Sequence, residues 1–234
     1  PSLAPPFLQA DGTPGRVKRR AEVIQEGPLP PGATAVAQVS RWDRLKDHLG
    51  LLDCFRLHLH SEEIHLVLAG PSTAAVADDP EGSAVWRSVG RAWRELPASV
   101  RDRAHLLSLP MDDPDENAAM VNALQRRADI VVQKSLAEGF GLTVAEAMWK
   151  RRAVVGTRVG GIQDQIVDGV SGLLVDDPHD ADALARAILG LVGDRERAAE
   201  IGERAHRRVL ERFLAASRLV EYVELIEAVL PPRP

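Results

Sequence analysis

The segment Ser135-Leu136-Ala137-Glu138-Gly139-Phe140-Gly141-Leu142-Thr143-Val144-Ala145-Glu146 holds the richest set of residues able to grip a polar ligand. Two glycines flank Phe140, and a helical pattern starts directly after Gly141. Glycines let a backbone adopt positive φ and come close to a ligand. The first amides of that helix, at Leu142 and Thr143, favour an anion. Glu138 precedes the glycines, and Glu146 lies about one turn into the helix. A carboxylate accepts two hydroxyl hydrogen bonds side by side, as a sugar or ribose diol offers them. One short segment can therefore present acceptors for hydroxyls and donors for phosphate. Taken singly, each glutamate also reads as a helix cap or a solvated residue.

Two further loops carry candidate chemistry. In Ser40-Arg41-Trp42-Asp43-Arg44-Leu45-Lys46 a short turn can bring Arg41 and Lys46 to one point near a helix N-terminus. A guanidinium forks onto phosphate oxygens and an ammonium adds a mobile point charge, so the pair suits a diphosphate. Two unrelated surface cations are the plainer reading. In Thr157-Arg158-Val159-Gly160-Gly161-Ile162 the double glycine before a helix permits close backbone approach or forms a simple turn.

These loops need a scaffold, and the apolar rhythm supplies one. Short apolar runs stand at Ala35–Val39, Ile64–Ala69, His105–Leu109, Ile130–Gln133, Val154–Thr157 and Leu173–Val175. Helical patterns fall at about 45–60, 83–95, 116–127, 142–150, 162–167 and 181–192, followed by two more near 195–212 and 216–229. Alternation of this kind predicts an α/β fold, Rossmann-like, with a mainly parallel doubly wound sheet. Such sheets bind ligands beyond the carboxyl ends of their strands, which is where all three loops lie. Residues 1–33 are rich in Pro and Gly and carry the basic cluster Arg16, Lys18, Arg19 and Arg20. They read as a leader or linker with one short helix near 16–26. Residues 34–229 read as one Rossmann-like domain and 230–234 as a tail.

Composition narrows the partners. The formal net charge is -5 with 45% hydrophobic and 27% charged residues, ordinary for a globular domain. A mildly acidic chain lacks the basic field of a general nucleic-acid binder, so no nucleic-acid partner is expected. No apolar run reaches membrane-spanning length, and no membrane partner is expected. The single cysteine, Cys54, reads as a small core residue and suits a reducing cytoplasm. The acidic pairs Asp78-Asp79, Asp112-Asp113 and Asp176-Asp177 read as turn and cap residues. His58 and His60 stand two apart and would face different sides of a helix. No metal and no cofactor is expected. The chain starts at Pro1 without a methionine and reads as a piece of a longer protein.

Glu138-Gly139-Phe140-Gly141 followed by Glu146-Ala147-Met148 resembles the E-x7-E signature of the retaining GT-B glycosyltransferases of family 4. Val159-Gly160-Gly161-Ile162, Ile166-Val167-Asp168-Gly169 and Gly172-Leu173-Leu174-Val175 follow in the order that family shows. Arg41 and Lys46 fall where it keeps a diphosphate-binding pair. The resemblance covers roughly residues 34–229 and makes them a nucleotide-sugar-binding domain. A narrower resemblance, to the trehalose-forming branch, rests on Val39-Ser40-Arg41-Trp42-Asp43, Asp78-Asp79-Pro80-Glu81-Gly82 and the whole segment from Glu138 to Lys150, with Asp78–Gly82 and Trp149 favouring that branch. One position departs: the family usually has glycine after the lysine, and here it is Asp47. An aspartate can cap the helix there, but it adds negative charge beside the phosphate site.

The resemblance implies the C-terminal donor half of a GT-B fold. Its partners would be a nucleoside-diphosphate glucose and a missing N-terminal GT-B domain, with a homodimer left open. It gives Arg41, Lys46 and Glu138 catalytic roles: the two cations hold the leaving diphosphate, and Glu138 grips the transferred glucose. Gly139, Phe140, Gly141, Leu142 and Thr143 would bind donor through the backbone, and Glu146 would hold the ribose. The implied reaction joins the donor glucose to free glucose with retention. Trehalose phosphorolysis, another acceptor, and a non-catalytic nucleotide-sugar module are the alternatives.

Overall fold

The computed structural model describes residues 4–59, 64–73 and 80–230. The chain opens with a small hairpin, β1 (Pro6–Leu8) and β2 (Pro14–Arg16), then β3 (Glu22–Ile24). Next come β4 (Thr34–Val39), a 3-10 turn at Arg44–Lys46, α1 (His48–His58), β5 (Ile64–Pro71), α2 (Pro80–Arg94), α3 (Ala98–Arg101) and β6 (Ala104–Leu109). The second half holds α4 (Pro114–Arg127), β7 (Ile130–Gln133), α5 (Leu142–Trp149), β8 (Ala153–Thr157), α6 (Ile162–Gln165) and β9 (Leu173–Val175). It closes with α7 (Ala181–Gly193), α8 (Arg195–Arg212) and α9 (Ala215–Val229).

Among the described residues the main sheet runs β3-β6-β5-β4-β7-β8-β9. Every pairing is parallel except β3 with β6. The strands β4 and β7 are buried along their whole length. That follows from their continuous apolar runs, which need cover on both faces. Helices α1, α2 and α7 cover one face, with Leu51, Phe55, Trp93 and Ile188 packed on Val36, Leu66 and Val132. Helices α5, α6 and α8 cover the other, where Met148, Ile162 and Val209 pack on Ala37, Val131 and Val154. Burying a side chain such as Phe55 contributes about 2–3 kcal/mol.

The chain starts at the middle strand β4, winds outward through β5 and β6, then returns to the other side of β4 through β7, β8 and β9. The direction of winding reverses between β4 and β7. The carboxyl ends of these two strands therefore open a crevice, the switch point where doubly wound sheets take ligands.

One expectation is overturned. The helix near 16–26 is absent; β2 and β3 occupy that stretch, and β3 pairs Glu22 with Ser108 and Ile24 with Leu106. The β-branched Val23 and Ile24 favour a strand, and β6 offers an open edge. The basic cluster is anchored as well. The amides of Lys18 and Arg19 donate to the Glu116 carboxylate at 3.2 Å each, and the Arg19 guanidinium pairs with Glu116 and Asp113. The expected acidic pair Asp78-Asp79, half of the Asp78–Gly82 motif, and His60 lie outside the described residues.

Candidate active site

The loop after β4 begins at Ser40. The Asp43 carboxylate accepts from the Leu45 amide at 2.7 Å and starts the 3-10 turn that ends at Lys46. Asp47 then takes a left-handed conformation, φ 41 and ψ 50, and its carboxylate accepts from the Gly50 amide at 3.0 Å to cap α1. The left-handed backbone is the physical reason a glycine suits this position; an aspartate tolerates it as few other residues do. Its charge is not left beside the crevice unpaired. The Lys134 ammonium, buried at the end of β7, pairs with Asp47.

The loop after β7 supplies the other wall. Ser135 is buried, its amide donating to the Thr157 hydroxyl at 3.0 Å. The chain then rises to Glu138. One Glu138 oxygen accepts from its neighbour, the Gly139 amide, at 3.1 Å, and the other pairs with the Lys46 ammonium. Gly141 has φ 85 and offers no side chain to cap α5, so the first α5 amides keep their anion-binding capacity. Thr143 donates its hydroxyl to Gln133 at 2.8 Å, and Glu146 accepts from the Gln125 amide nitrogen at 3.2 Å. Phe140 is exposed and meets Phe213 edge-on at 6.1 Å.

The double glycine after β8 serves the neighbouring loop. A Cβ on Gly160, which has φ 48, would stand 1.6 Å from the Glu138 carbonyl oxygen. The Gly161 amide donates to the Gly139 carbonyl at 3.0 Å. Of the two readings open for this double glycine, close backbone approach or a simple turn, the structure shows close approach, made to residues 138–140.

The structure brings Lys46, Glu138 and Gly139 into direct contact. Arg41 stands on the exposed outer part of its turn, where its guanidinium meets Asp43 at 3.0 Å. Lys134, Gln125, Gln133 and Gln165 support the site and were not singled out from sequence. Each acts on a residue far along the chain or on backbone, so no local spacing signals it. The first residue of α1, His48, is buried against Trp42, with ring centroids 4.6 Å apart and Nε2 3.1 Å from the Ser40 hydroxyl. Burial pushes its imidazole down to about 4, so it is neutral near pH 7 and packs as core.

Among the described residues no group of three or more His, Cys, Asp or Glu is placed to hold a metal ion. The acidic pairs do other work: Asp113 caps α4, and Asp176 pairs with Arg158. No helix among the described residues is long and apolar enough to cross a membrane.

The strand order, the switch-point crevice and the glycine-rich turn into α5 define a Rossmann-like half of a GT-B glycosyltransferase. The sequence matches the family described as "Glycosyl transferases group 1" over residues 19–208, and the chain belongs to that family. It is 35% identical to the trehalose synthase of Thermococcus litoralis over 208 residues, covering 88% of this chain and 47% of that protein. It is 39% identical to the trehalose synthase of Rubrobacter xylanophilus over 195 residues, covering 82% of this chain and 43% of that protein. Among solved structures, the sucrose-phosphate synthase of Thermosynechococcus elongatus superposes with a TM-score of 0.70 at 27% identity, over 86% of this chain and 46% of that one. The chain thus spans under half the length of these relatives.

Proposed function

We propose that the chain is the donor-binding domain of a glucosyltransferase of family 4 that moves glucose from a nucleoside-diphosphate glucose to free glucose, forming trehalose with retention. The observation that carries this reading is the meeting, at the switch point, of Lys46 with Glu138 on the loop that leads through Gly141 into α5. A cation and free helix amides suit a leaving diphosphate, and a carboxylate suits sugar hydroxyls. The similarity to trehalose synthases supports glucose as acceptor.

In this reading Lys46, with Arg41 turned inward from Asp43, offsets the charge that develops on the diphosphate. The amides of Leu142 and Thr143 add to that field. Glu138 and the backbone of Gly139, Phe140 and Gly141 hold the glucose, and Glu146 holds the ribose. A proton can pass from the acceptor hydroxyl to the leaving phosphate, so no pair of glycosidase-type carboxylates is needed. The acceptor sits on an N-terminal GT-B domain of similar size. The exposed apolar residues Leu219, Tyr222, Ile226 and Val229 along α9 support a further packing partner of that kind.

Calorimetry with ADP, UDP and GDP tests the donor site, and a coupled assay for trehalose tests the reaction. Tight binding of one diphosphate, with trehalose formed only when the N-terminal half is supplied, is the expected result. Binding of phosphate alone would favour phosphorolysis. Robust turnover by the isolated chain would refute the need for a second half.

A further inference from the structure

Four consecutive carbonyls of the glycine-rich loop turn to the same side. The Glu138 carbonyl presses on Gly160, and the Gly139 carbonyl accepts from the Gly161 amide at 3.0 Å. The Phe140 carbonyl accepts from the side-chain nitrogen of Gln165, and the Gly141 carbonyl accepts from the same nitrogen at 3.3 Å. All of these partners belong to the segment from β8 into α6. No cis peptide occurs among the described residues. In a trans peptide the carbonyl and the following N–H point in opposite directions. The amides of Gly139, Phe140, Gly141 and Leu142 therefore face away from α6. The Gly139 amide shows where that is: it donates to the Glu138 carboxylate, whose other oxygen holds Lys46.

Gln165 is fully buried, and its side-chain oxygen has no hydrogen-bond partner among the described residues. An orphaned buried oxygen is costly, and an apolar side chain of the same length would fill the space without that cost. The side-chain nitrogen is what distinguishes glutamine here, and it goes to the two loop carbonyls. A further layer braces the arrangement. Arg208 donates to the Gln165 carbonyl at 2.6 Å and to the Asp164 carbonyl at 2.8 Å. The same guanidinium lies over the Phe213 ring at 5.8 Å, and Phe213 meets Phe140.

We propose that Gln165 is the positioning residue of the donor loop. By taking the Phe140 and Gly141 carbonyls it aims the amides of Gly141 and Leu142 at the phosphate and sugar oxygens of a nucleoside-diphosphate sugar. Gln165 itself touches no donor atom. This assignment of a ligand rests on the donor-binding reading given above.

The test compares the intact chain with two variants. Gln165→Met keeps length and volume and removes the donor nitrogen; Gln165→Asn keeps the amide and shortens its reach. Affinity is measured for whichever of ADP, UDP and GDP binds best and for the matching nucleoside, and each ligand-free variant is crystallised. Both variants are expected to lose about tenfold or more in diphosphate affinity, the scale of losing an oriented donor, with nucleoside affinity unchanged. The Phe140 and Gly141 carbonyls should turn away from α6. An equal loss for nucleoside and diphosphate overturns the inference, as does diphosphate binding at the parent level. If the parent chain binds none of the three diphosphates, the donor reading fails, and the crystal structures decide the loop's support separately. Carbonyls still directed at α6 in Gln165→Met then overturn it.

Discussion

Lys46 and Glu138, 92 residues apart in the chain, form an ion pair that ties the loop after β4 to the loop after β7. The two side chains are each 11% exposed. They meet at the switch point with opposite charges. On the proposed donor-binding reading, a diphosphate would draw Lys46 from Glu138 and release a carboxylate for the sugar hydroxyls.

This pair should show coupling in stability. Lys46→Met and Glu138→Gln are each expected to cost about 1–3 kcal/mol, since each leaves a largely buried group without its partner. The double variant should cost less than the sum, with a coupling of about 1–2 kcal/mol. Urea unfolding of the four proteins in the cycle measures this. Strict additivity would mean the contact contributes nothing to stability.

Gly160 makes a sharper demand. A methyl group there would stand 1.6 Å from a backbone oxygen, and the residue has φ 48. No rotamer change relieves a clash with backbone, so the donor loop must move. Gly160→Ala should destabilise the domain by about 2 kcal/mol or more and displace residues 138–141. Gly139 has open space at its Cβ position. Gly139→Ala should therefore be nearly neutral in stability. Thermal unfolding of the two variants checks the contrast, and equal losses would contradict it.

The contrast between these glycines shows what sequence made legible. Strands such as β7 and β9 lie where their short apolar runs place them, because a strand buried between helix layers has no alternative use for such residues. Glu138 and Gly141 were legible because a glycine-flanked turn into a helix is a local pattern. The strand β3 was not, since its three residues, Glu22–Ile24, follow a basic stretch, are too few to show a pattern and gain their conformation from the open edge of β6. Gln165 and Lys134 were not legible for the same reason. Their meaning lies in partners brought close only by the winding of the sheet. Asp47 was half legible: its capping role followed from its type, but its ion partner did not.

Two buried imidazoles predict an acid limb in stability. Burial pushes His48 down to about 4 from an ordinary 6.5, and burial with the neighbouring His65 pushes His105 to about 4. Both are neutral in the folded chain near pH 6, while the unfolded chain takes up protons below about 6.5. Stability is thus fully present above that value and falls as the pH drops towards 4. For His48 the full loss is about 3 kcal/mol, from the separation of the two values. Urea midpoints between about pH 5 and 6.5, above the main carboxylate range, should fall steadily for the parent chain. His105→Gln should remove part of that slope, because glutamine can still meet His65 and cannot gain a proton. A flat profile across the window would show that neither imidazole is held neutral.

Glu146 and Lys46 should divide the nucleotide between them. Glu146 is exposed on α5 and is held by Gln125, which leaves carboxylate acceptor capacity for a diol. The Lys46 ammonium pairs with Glu138, on the loop before α5. Glu146→Ala should weaken the matching nucleoside and nucleoside diphosphate by the same factor, about a hundredfold for two lost hydrogen bonds to a charged group, and leave pyrophosphate untouched. Lys46→Met should weaken pyrophosphate and the nucleoside diphosphate and leave the nucleoside untouched. Calorimetry with the three ligands on both variants separates the roles. A gain in pyrophosphate binding in Glu146→Ala would place that carboxylate at the phosphate end, where its charge opposes binding, and would remove it from the ribose.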